Sequence, residues 1–166
     1  MRVLGIDPGS SILGWSLLES NFHLIAYGVI TPDGRDGIGG RLQIIHDGLA
    51  RIIDEHRPDC CAIERLFFSR NTTTAMDVAK CIGAALLTAR LAGLEIAEYN
   101  PMQVKQSITG YGRATKRQMQ TMVMKILRLR ELPRPDDAAD AIAIALCHCI
   151  AHNGIRCHDR NAYGNG

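Results

Sequence analysis

Short apolar runs separated by turn-forming residues recur along the first part of the chain, and such runs are typical of buried strands. Pro8 to Ser11 form one such turn, and Ser20 and Asn21 join two of the runs as a hairpin would. The pattern predicts five strands, at residues 2–7, 13–19, 22–30, 60–64 and 95–99.

Helical spacing of apolar residues marks the stretches between and after these runs. Leu42, Ile45 and Leu49 recur every three or four positions. Pro101 suits the first position of a helix, and Gly93 suits the position just after the end of one. The predicted helices lie at residues 42–57, 75–92, 116–130 and 136–152, with a short one from residue 101.

The order of these elements predicts the fold class. Strands that come first and then alternate with helices indicate a single α/β domain with a mixed central sheet flanked by helices. We expect this domain to span residues 1–152. Residues 153–166 are rich in glycine and asparagine, which predicts a flexible tail.

Composition is that of an ordinary globular domain. The 166 residues are 46% hydrophobic and 22% charged, which excludes a disordered, collagen-like or disulfide-stapled chain. No apolar run approaches the about 20 residues that a membrane-spanning helix needs, and Asp7 comes too early for a secretory signal. We therefore expect a cytoplasmic protein without a membrane segment, whose cysteines are reduced thiols.

Charge is distributed unevenly along the chain. Residues 101–135 hold eight basic residues and a single acid, Glu131, whereas the net charge of the whole chain is only +2. The net charge of this block is therefore +7 and that of the remaining residues −5. A basic block on an otherwise acidic protein favours a polyanion partner, although a solvated helix face gives the same pattern.

Four carboxylates stand where strands and helices begin or end. Asp7 ends the first strand and Glu64 the fourth, and acids are unusual continuations of buried strands. Asp137 and Asp140 are three residues apart, so they share one face of the last helix. Local explanations exist for some acids: Asp7 precedes a Pro-Gly turn, and Asp136 and Asp137 suit a helix start. Asp140, one turn further in among alanines, needs a cationic partner.

Convergence of these carboxylates on one point would require divalent cations, because ionised carboxylates repel one another strongly. Mg²⁺ and Mn²⁺ prefer carboxylate oxygen. Two such ions about 3.5–4 Å apart stabilise the attacking and leaving oxygens of a phosphoryl displacement. The predicted chemistry is hydrolysis of a phosphodiester by metal-activated water, with Mg²⁺ as cofactor, Mn²⁺ as a substitute, and two ions during catalysis.

Four segments resemble the signature segments of the RuvC family of Holliday junction resolvases, the crossover junction endodeoxyribonucleases. They occur in the same order and at similar spacing, and they are residues 5–10 (GIDPGS), 62–64 (AIE), 104–106 (VKQ) and 137–141 (DAADA). The resemblance covers about residues 1–152, and the combination of segments is highly specific.

The resemblance implies a ribonuclease H-like fold, a homodimer, and Mg²⁺-dependent cleavage of four-way DNA junctions in recombination and repair by two symmetric nicks. It also implies cooperation with the branch-migration proteins RuvA and RuvB. By matching position, it implies that the catalytic and metal-binding acids are Asp7, Glu64, Asp137 and Asp140. Asp136 is an extra acid beside this motif.

Basic and aromatic residues near these segments are candidates for DNA contacts. Lys105 and Lys116 match family residues that assist cleavage and hold the backbone, and Phe67 matches an aromatic that engages bases at the junction. Stacking of a base on an exposed aromatic is worth about 1–3 kcal/mol, and we expect one of Phe67 and Phe68 to be exposed. Tyr111 has no assignment from the family pattern. The predicted DNA-binding residues are Phe67, Arg65, Arg70, Asn71, Lys105, Arg113, Lys116 and Arg117.

The helix at residues 75–92 is apolar on most of its faces, which indicates burial on most of its faces. One face would pack on the sheet, so another face is expected to meet a partner subunit in a two-fold dimer. Burial within the monomer is the alternative. The apolar stripes are Ala75, Ala79 and Gly83 on one line and Val78, Ile82 and Leu86 on another.

Other functions stay open on the residues alone. Residues 7–11 (DPGSS) also resemble the first phosphate loop of actin-like ATPases and sugar kinases, but those enzymes close two domains over a nucleotide. A small RNA-processing nuclease of the same fold is a further alternative. A non-catalytic DNA-binding module is less consistent with the four acids, since acids near phosphates weaken binding without metal. Cys147, Cys149 and the neighbouring histidines do not match a zinc spacing.

Overall fold

A mixed five-stranded sheet forms the centre of the molecule. The computed structural model describes residues 1–32, 37–65 and 72–162, except the side chains of residues 72–74 and 154–162. The strands are β1 (Arg2–Pro8), β2 (Leu13–Glu19), β3 (Leu24–Ile30), β4 (Cys60–Glu64) and β5 (Glu95–Tyr99). Their order is β3-β2-β1-β4-β5, in which β1 pairs antiparallel with β2 and parallel with β4. The predicted mixed sheet is confirmed.

Helices cover both faces of the sheet. They are α1 (Gly37–His56), α2 (Thr72–Leu91), α3 (Pro101–Thr109), α4 (Lys116–Leu127) and α5 (Asp136–Ala162). Reciprocal side-chain caps fix the starts of α3 and α4, through Asn100 with Gln103 and Thr115 with Gln118. These caps hold the two helices that carry Lys105 and Lys116.

Several predicted boundaries are wrong. Helix α1 begins at Gly37 rather than at residue 42, and α5 continues to Ala162 rather than ending at residue 152. Glycines near these points do not stop the helices, because a glycine inside a helix costs only about 1 kcal/mol. Helix α4 ends at Leu127 instead of residue 130, because Arg128 takes a left-handed conformation with φ 54°. The flexibility of residues 153–166 stays a prediction.

Side-chain alternation along the strands divides the core into two layers. Val3, Cys60 and Ala62 face α3, α4 and α5, whereas the residues between them, such as Leu4 and Cys61, face α1 and α2. Each layer therefore closes one face of the sheet, and the molecule has an α/β/α arrangement.

Glycines in β1 and β2 bring the backbone of α5 unusually close to the sheet. A Cβ atom on Gly5 would lie 2.3 Å from the carbonyl oxygen of Ala141, and one on Gly14 would lie 2.0 Å from that of Asp137. No side chain fits at either position, so both glycines are required for this approach. The first turns of α5 consequently lie directly on the centre of the sheet.

Candidate active site

Two of the candidate acids extend from adjacent parallel strands. Asp7 continues the alternation of β1 that places Val3 toward α5, and Glu64 continues that of Cys60 and Ala62 in β4. Ile6 pairs with Ile63, so the next residues, Asp7 and Glu64, follow the same register. Both carboxylates therefore lie at one end of the sheet, on the face that α5 covers.

The other two acids come from the start of α5. Asp7 pairs across the sheet with Gly14, and the backbone of Asp137 lies against Gly14. This contact places Asp137 beside Asp7, and Asp140 follows one turn later on the same side of the helix. The structure thus brings together Asp7, Glu64, Asp137 and Asp140, as the sequence predicts.

Electrostatics show how tightly these groups interact. Burial, reinforced by the charges of Asp140, Glu64 and Asp137, raises the pKa of Asp7 from 3.8 to about 7. Burial and the charge of Asp140 also raise the pKa of Glu64, although Lys105 opposes this effect. Carboxylates in this arrangement resist ionisation together, and a cation among them would relieve the repulsion.

Lys116 supplies one positive charge at the rim. Its Nζ lies 2.9 Å from Oδ2 of Asp140 and 3.2 Å from Oδ2 of Asp136. Burial opposes the charge of Lys116, but hydrogen bonds to Asp140 and Asp136 outweigh it and raise the pKa of Lys116. The side chain of Asp136 is 65% exposed and that of Asp140 only 28%, so Asp140 belongs to the site and Asp136 to its outer edge.

A small cavity of about 170 Å³ opens between these side chains. Asp7, Glu64, Lys105, Lys116 and Asp140 line it together with apolar residues of α3, α4 and α5. Carboxylates and ammonium groups that line one cavity suit a phosphodiester whose reacting phosphorus lies near the acids.

The donor set fits hard divalent cations. All four acids offer carboxylate oxygen, which Mg²⁺ and Mn²⁺ prefer. Among the residues that the structure describes, no three acidic, histidine or cysteine side chains already form a metal-binding group. Lys116 pairs with Asp140 in this arrangement.

The predicted DNA contacts are only partly within the described part of the chain. Phe67, Phe68, Arg70 and Asn71 lie outside the described residues. Arg65 is exposed, and its Nε lies 3.7 Å from Oε2 of Glu98. The remaining basic candidates lie on or beside α3 and α4, where Lys105 is half-buried and Arg113, Lys116 and Arg117 are exposed.

The sequence interpretation missed the two glycines that position the site. Gly5 and Gly14 were not singled out, although an isolated glycine inside a strand is a known signal of close backbone approach. Without this approach, Asp137 would not lie beside Asp7.

Among the described side chains of α5, Cys147 and Cys149 serve packing and His148 belongs to a partly buried hydrogen-bond network. Tyr99 Oη lies 2.8 Å from Nδ1 of His148, whose Nε2 is 3.5 Å from Sγ of Cys60. Burial raises the pKa of Cys60 to about 11 and lowers that of His148. Cys147 and Cys149 are buried thiols. In the described part of the chain these groups form no metal-binding group.

Comparisons with known proteins find a matching family. The model of a family described as "Crossover junction endodeoxyribonuclease RuvC" matches residues 3–148. The protein of that name from Finegoldia magna is 47% identical over 151 residues, which cover 89% of this chain and 92% of the relative. The one from Caldanaerobacter subterraneus is 44% identical over 167 residues, which cover 99% of both.

A solved structure matches as well. The structure of Thermus thermophilus RuvC in complex with a Holliday junction substrate has a TM-score of 0.86 and 36% sequence identity, covering 93% of this chain and 96% of that one. The predicted ribonuclease H-like fold is confirmed by this match. Among the described residues, no helix is long and apolar enough to span a membrane.

Proposed function

Because the chain belongs to the RuvC family of crossover junction endodeoxyribonucleases, we propose that it resolves four-way DNA junctions by two symmetric nicks during recombination and repair. It is a nuclease of this family. The observation that carries the proposal is the convergence of Asp7, Glu64 and the start of α5 at one end of the sheet. The Thermus thermophilus relative was solved with this type of substrate.

The proposed cofactor is Mg²⁺, with Mn²⁺ as a substitute and two ions during catalysis. Asp7, Glu64, Asp137 and Asp140 would hold them. The chemistry that bound ions supply in such a site is activation of the attacking water and stabilisation of the leaving oxygen. The raised pKa values of Asp7 and Glu64 support this assignment, because burial and the neighbouring carboxylates disfavour ionised forms that a bound cation would stabilise.

The lysines of the cavity have a separate role in the proposed mechanism. Lys105 and Lys116 line the cavity from α3 and α4. Their ammonium groups are placed to donate hydrogen bonds to the non-bridging oxygens of the phosphate and to orient it against the acids. Asp136 keeps a second carboxylate beside Lys116 at the rim.

We propose that α2 forms the interface of a homodimer. One face of α2, with Val78, Ile82 and Leu86, packs inward against α1 and the sheet. On another face, α2 exposes apolar side chains, Met76, Leu87 and Leu91, with Gly83 open to solvent between them. Lys80 interrupts this exposed stripe between Met76 and Gly83, and the apolar part of the stripe is the surface that a second copy would cover.

The remaining assignments extend the same proposal. Phe67, Arg65, Arg70, Asn71, Lys105, Arg113, Lys116 and Arg117 are proposed DNA contacts. Cooperation with RuvA and RuvB stays a prediction from the family resemblance. The cytoplasm stays the proposed place of action.

An RNA-processing nuclease of the same fold is the alternative to test. The assay uses a labelled synthetic four-way junction, a linear duplex of the same sequence and a matched RNA, each with Mg²⁺ or chelator. We expect cleavage of the junction alone and only with Mg²⁺. Equal cleavage of linear duplex, or preferred cleavage of RNA, would contradict the proposal.

The Asp7→Asn variant is the matched control for this assay. It removes one carboxylate charge from the site with little change in shape, so we expect the variant to fold and to bind the junction without cutting it. Junction nicking by this variant in Mg²⁺ would show that the metal assignment is wrong.

A further inference from the structure

A second groove lies beside the carboxylate cavity and is not used by the proposed chemistry. It has a volume of about 520 Å³ and is open to solvent between the end of α3 and the start of α4. Its walls are mostly apolar or hydroxyl-bearing, and Tyr111, Arg117 and Met122 are its largest side chains. Tyr111 belongs to the loop that the family pattern leaves unassigned.

Hydrogen bonds hold the backbone of Tyr111 in the loop, while its side chain is exposed to solvent. The ring is 59% exposed, yet the backbone is anchored on both sides. Thr109 Oγ1 accepts a hydrogen bond from the Tyr111 amide at 3.1 Å, and its one proton is shared between the carbonyl oxygens of Lys105 at 2.8 Å and Tyr111 at 3.0 Å. The amide of Ala114 donates to the same carbonyl at 3.0 Å. Because the backbone is anchored in this way, a ligand that stacks on the ring does not have to order the loop as well.

Charge complementarity identifies the class of ligand. Among the described residues that line the groove, Arg117 is the charged one and none is acidic. Helices α3 and α4 line both cavities: Lys105 and Lys116 face the acids, whereas Thr109 and Arg117 face the groove. A DNA strand that leaves the carboxylate cavity across these helices would meet the groove next.

We propose that this groove binds one nucleotide of the junction strand next to the cleavage site, with its unpaired base stacked on Tyr111 and its phosphate paired with Arg117. The proposal rests on the proposed function, since it assumes that junction DNA enters the carboxylate cavity. Base stacking on an aromatic tolerates any sequence, so the groove would add affinity for an opened junction rather than sequence preference.

Binding measurements with the full-length chain test the groove. Fluorescence anisotropy with a labelled four-way junction, in chelator to prevent cleavage, gives the dissociation constant of each variant. Tyr111→Ala should weaken binding about 5- to 150-fold, the range expected for one lost base stack, whereas Tyr111→Phe should bind like the parent. Tyr27→Ala removes an exposed tyrosine of β3 and should leave binding unchanged. Arg117→Ala should reduce the slope of log affinity against log salt by about 0.9.

An abasic scan locates the base. Removal of one particular base near the branch point should weaken junction binding by the parent as much as Tyr111→Ala does. The Tyr111→Ala variant should bind this abasic junction as tightly as it binds the intact one. The groove assignment is overturned if Tyr111→Ala and Tyr111→Phe bind equally well, or if no abasic position shows this coupling. A parent that binds junctions while these tests fail overturns the groove alone. A parent that neither binds nor cleaves them overturns the proposed function as well.

Discussion

At the scale of single residues, the behaviour of Asp7 follows from its neighbours. The side chain is buried at the end of a central strand and faces three other carboxylates, and its pKa rises to about 7. Carboxylates that resist ionisation at neutral pH lower the stability of the metal-free protein. The same property makes it receptive to divalent cations.

Stability of the metal-free protein should therefore depend on pH in a defined direction. The pKa of Asp7 is about 7 when folded and near 3.8 when unfolded, so the folded state holds its proton over that range. This group contributes its full stabilisation below about pH 4 and loses it as pH rises to 7. Urea denaturation in chelator should show that the free energy of unfolding falls by on the order of a few kcal/mol over this pH range. The fall should be smaller for Asp7→Asn.

The control for this measurement is Asp54→Asn, which removes an exposed carboxylate of α1. The free energy of unfolding of this variant should depend on pH as that of the parent does. If Asp7→Asn also keeps it unchanged, the electrostatic account of the site is wrong.

The neighbouring acids Asp136 and Asp137 provide a second residue-scale prediction. Asp137 lies beside Asp7, whereas Asp136 is exposed and contacts Lys116. Asp137→Asn should reduce junction cleavage in Mg²⁺ as severely as Asp7→Asn does. Asp136→Asn should cost much less, since Lys116 keeps Asp140 as a partner. Gel assays of initial rates compare the two variants, and the reverse order would assign the metal ligand to Asp136.

The sequence could predict which acids meet but not which partners they have. Alternation along the strands places Asp7 and Glu64 on one face, and the spacing of Asp137 and Asp140 places both on one side of a helix. The pairing of Lys116 with Asp136 joins α4 to α5, and residue spacing within one element carries no information about such a contact. The same is true of His148 with Tyr99.

At the scale of elements, the contact of α5 with the sheet decides whether the site exists. Two of the four acid positions, Asp137 and Asp140, depend on this contact, because the backbone of Asp137 lies on Gly14, which pairs with Asp7. Alanines along the first turns of α5, all buried, allow the same close approach. The helix is therefore a fixed part of the active site.

Substitution of Gly14 tests this contact. In Gly14→Ala the new Cβ would meet the carbonyl oxygen of Asp137 at 2.0 Å, and backbone cannot yield as a side chain can. We expect a loss of about 1–3 kcal/mol in stability, as in other overpacked cores, and a larger proportional loss of cleavage. Chemical denaturation and initial rates measure both quantities.

The matched control is Gly39→Ala in α1, where nothing lies within 4 Å of the new Cβ. Helix propensity predicts a gain of up to about 1 kcal/mol there, with unchanged cleavage. Equal effects of the two substitutions would refute the close-approach argument.

Element types were predictable because each core strand and helix keeps its own apolar period. Element ends were not predictable, because a glycine such as Gly37 or Gly154 lowers the stability of a helix by only about 1 kcal/mol. The packing of the rest of the helix contributes more than this. Phe22 adopts φ 67°, so β3 begins at Leu24 and not at residue 22. A non-glycine residue in this conformation is set by the surrounding turn rather than by its own propensity.

At the scale of the whole molecule, the two faces of the sheet have different roles. One face carries α5 with the acids and the basic helices α3 and α4, while the other carries α1 and α2. The exposed apolar stripe of α2 therefore lies away from the carboxylate face. A two-fold dimer through α2 would leave both carboxylate sites open to DNA, as two symmetric nicks require.

Introduction of charge into this stripe should separate the dimer. Leu87 is 59% exposed in the single chain, and a dimer would bury it. Leu87→Glu should sediment as a monomer at micromolar concentration, because an unpaired carboxylate in an apolar interface is costly. Met102→Glu, an equally exposed apolar residue on α3, should remain dimeric. A parent that is itself monomeric at this concentration would remove the dimer from the account.

The most direct test of the central claim is diffraction from crystals soaked in Mn²⁺ at a pH above the Asp7 pKa of about 7. Anomalous scattering locates manganese without reference to the rest of the structure. The account predicts at least one strong peak within bonding distance of Asp7 and its neighbouring carboxylates, and its loss in Asp7→Asn. A preparation that cleaves junctions in Mn²⁺, yet shows no manganese among these side chains, would contradict it.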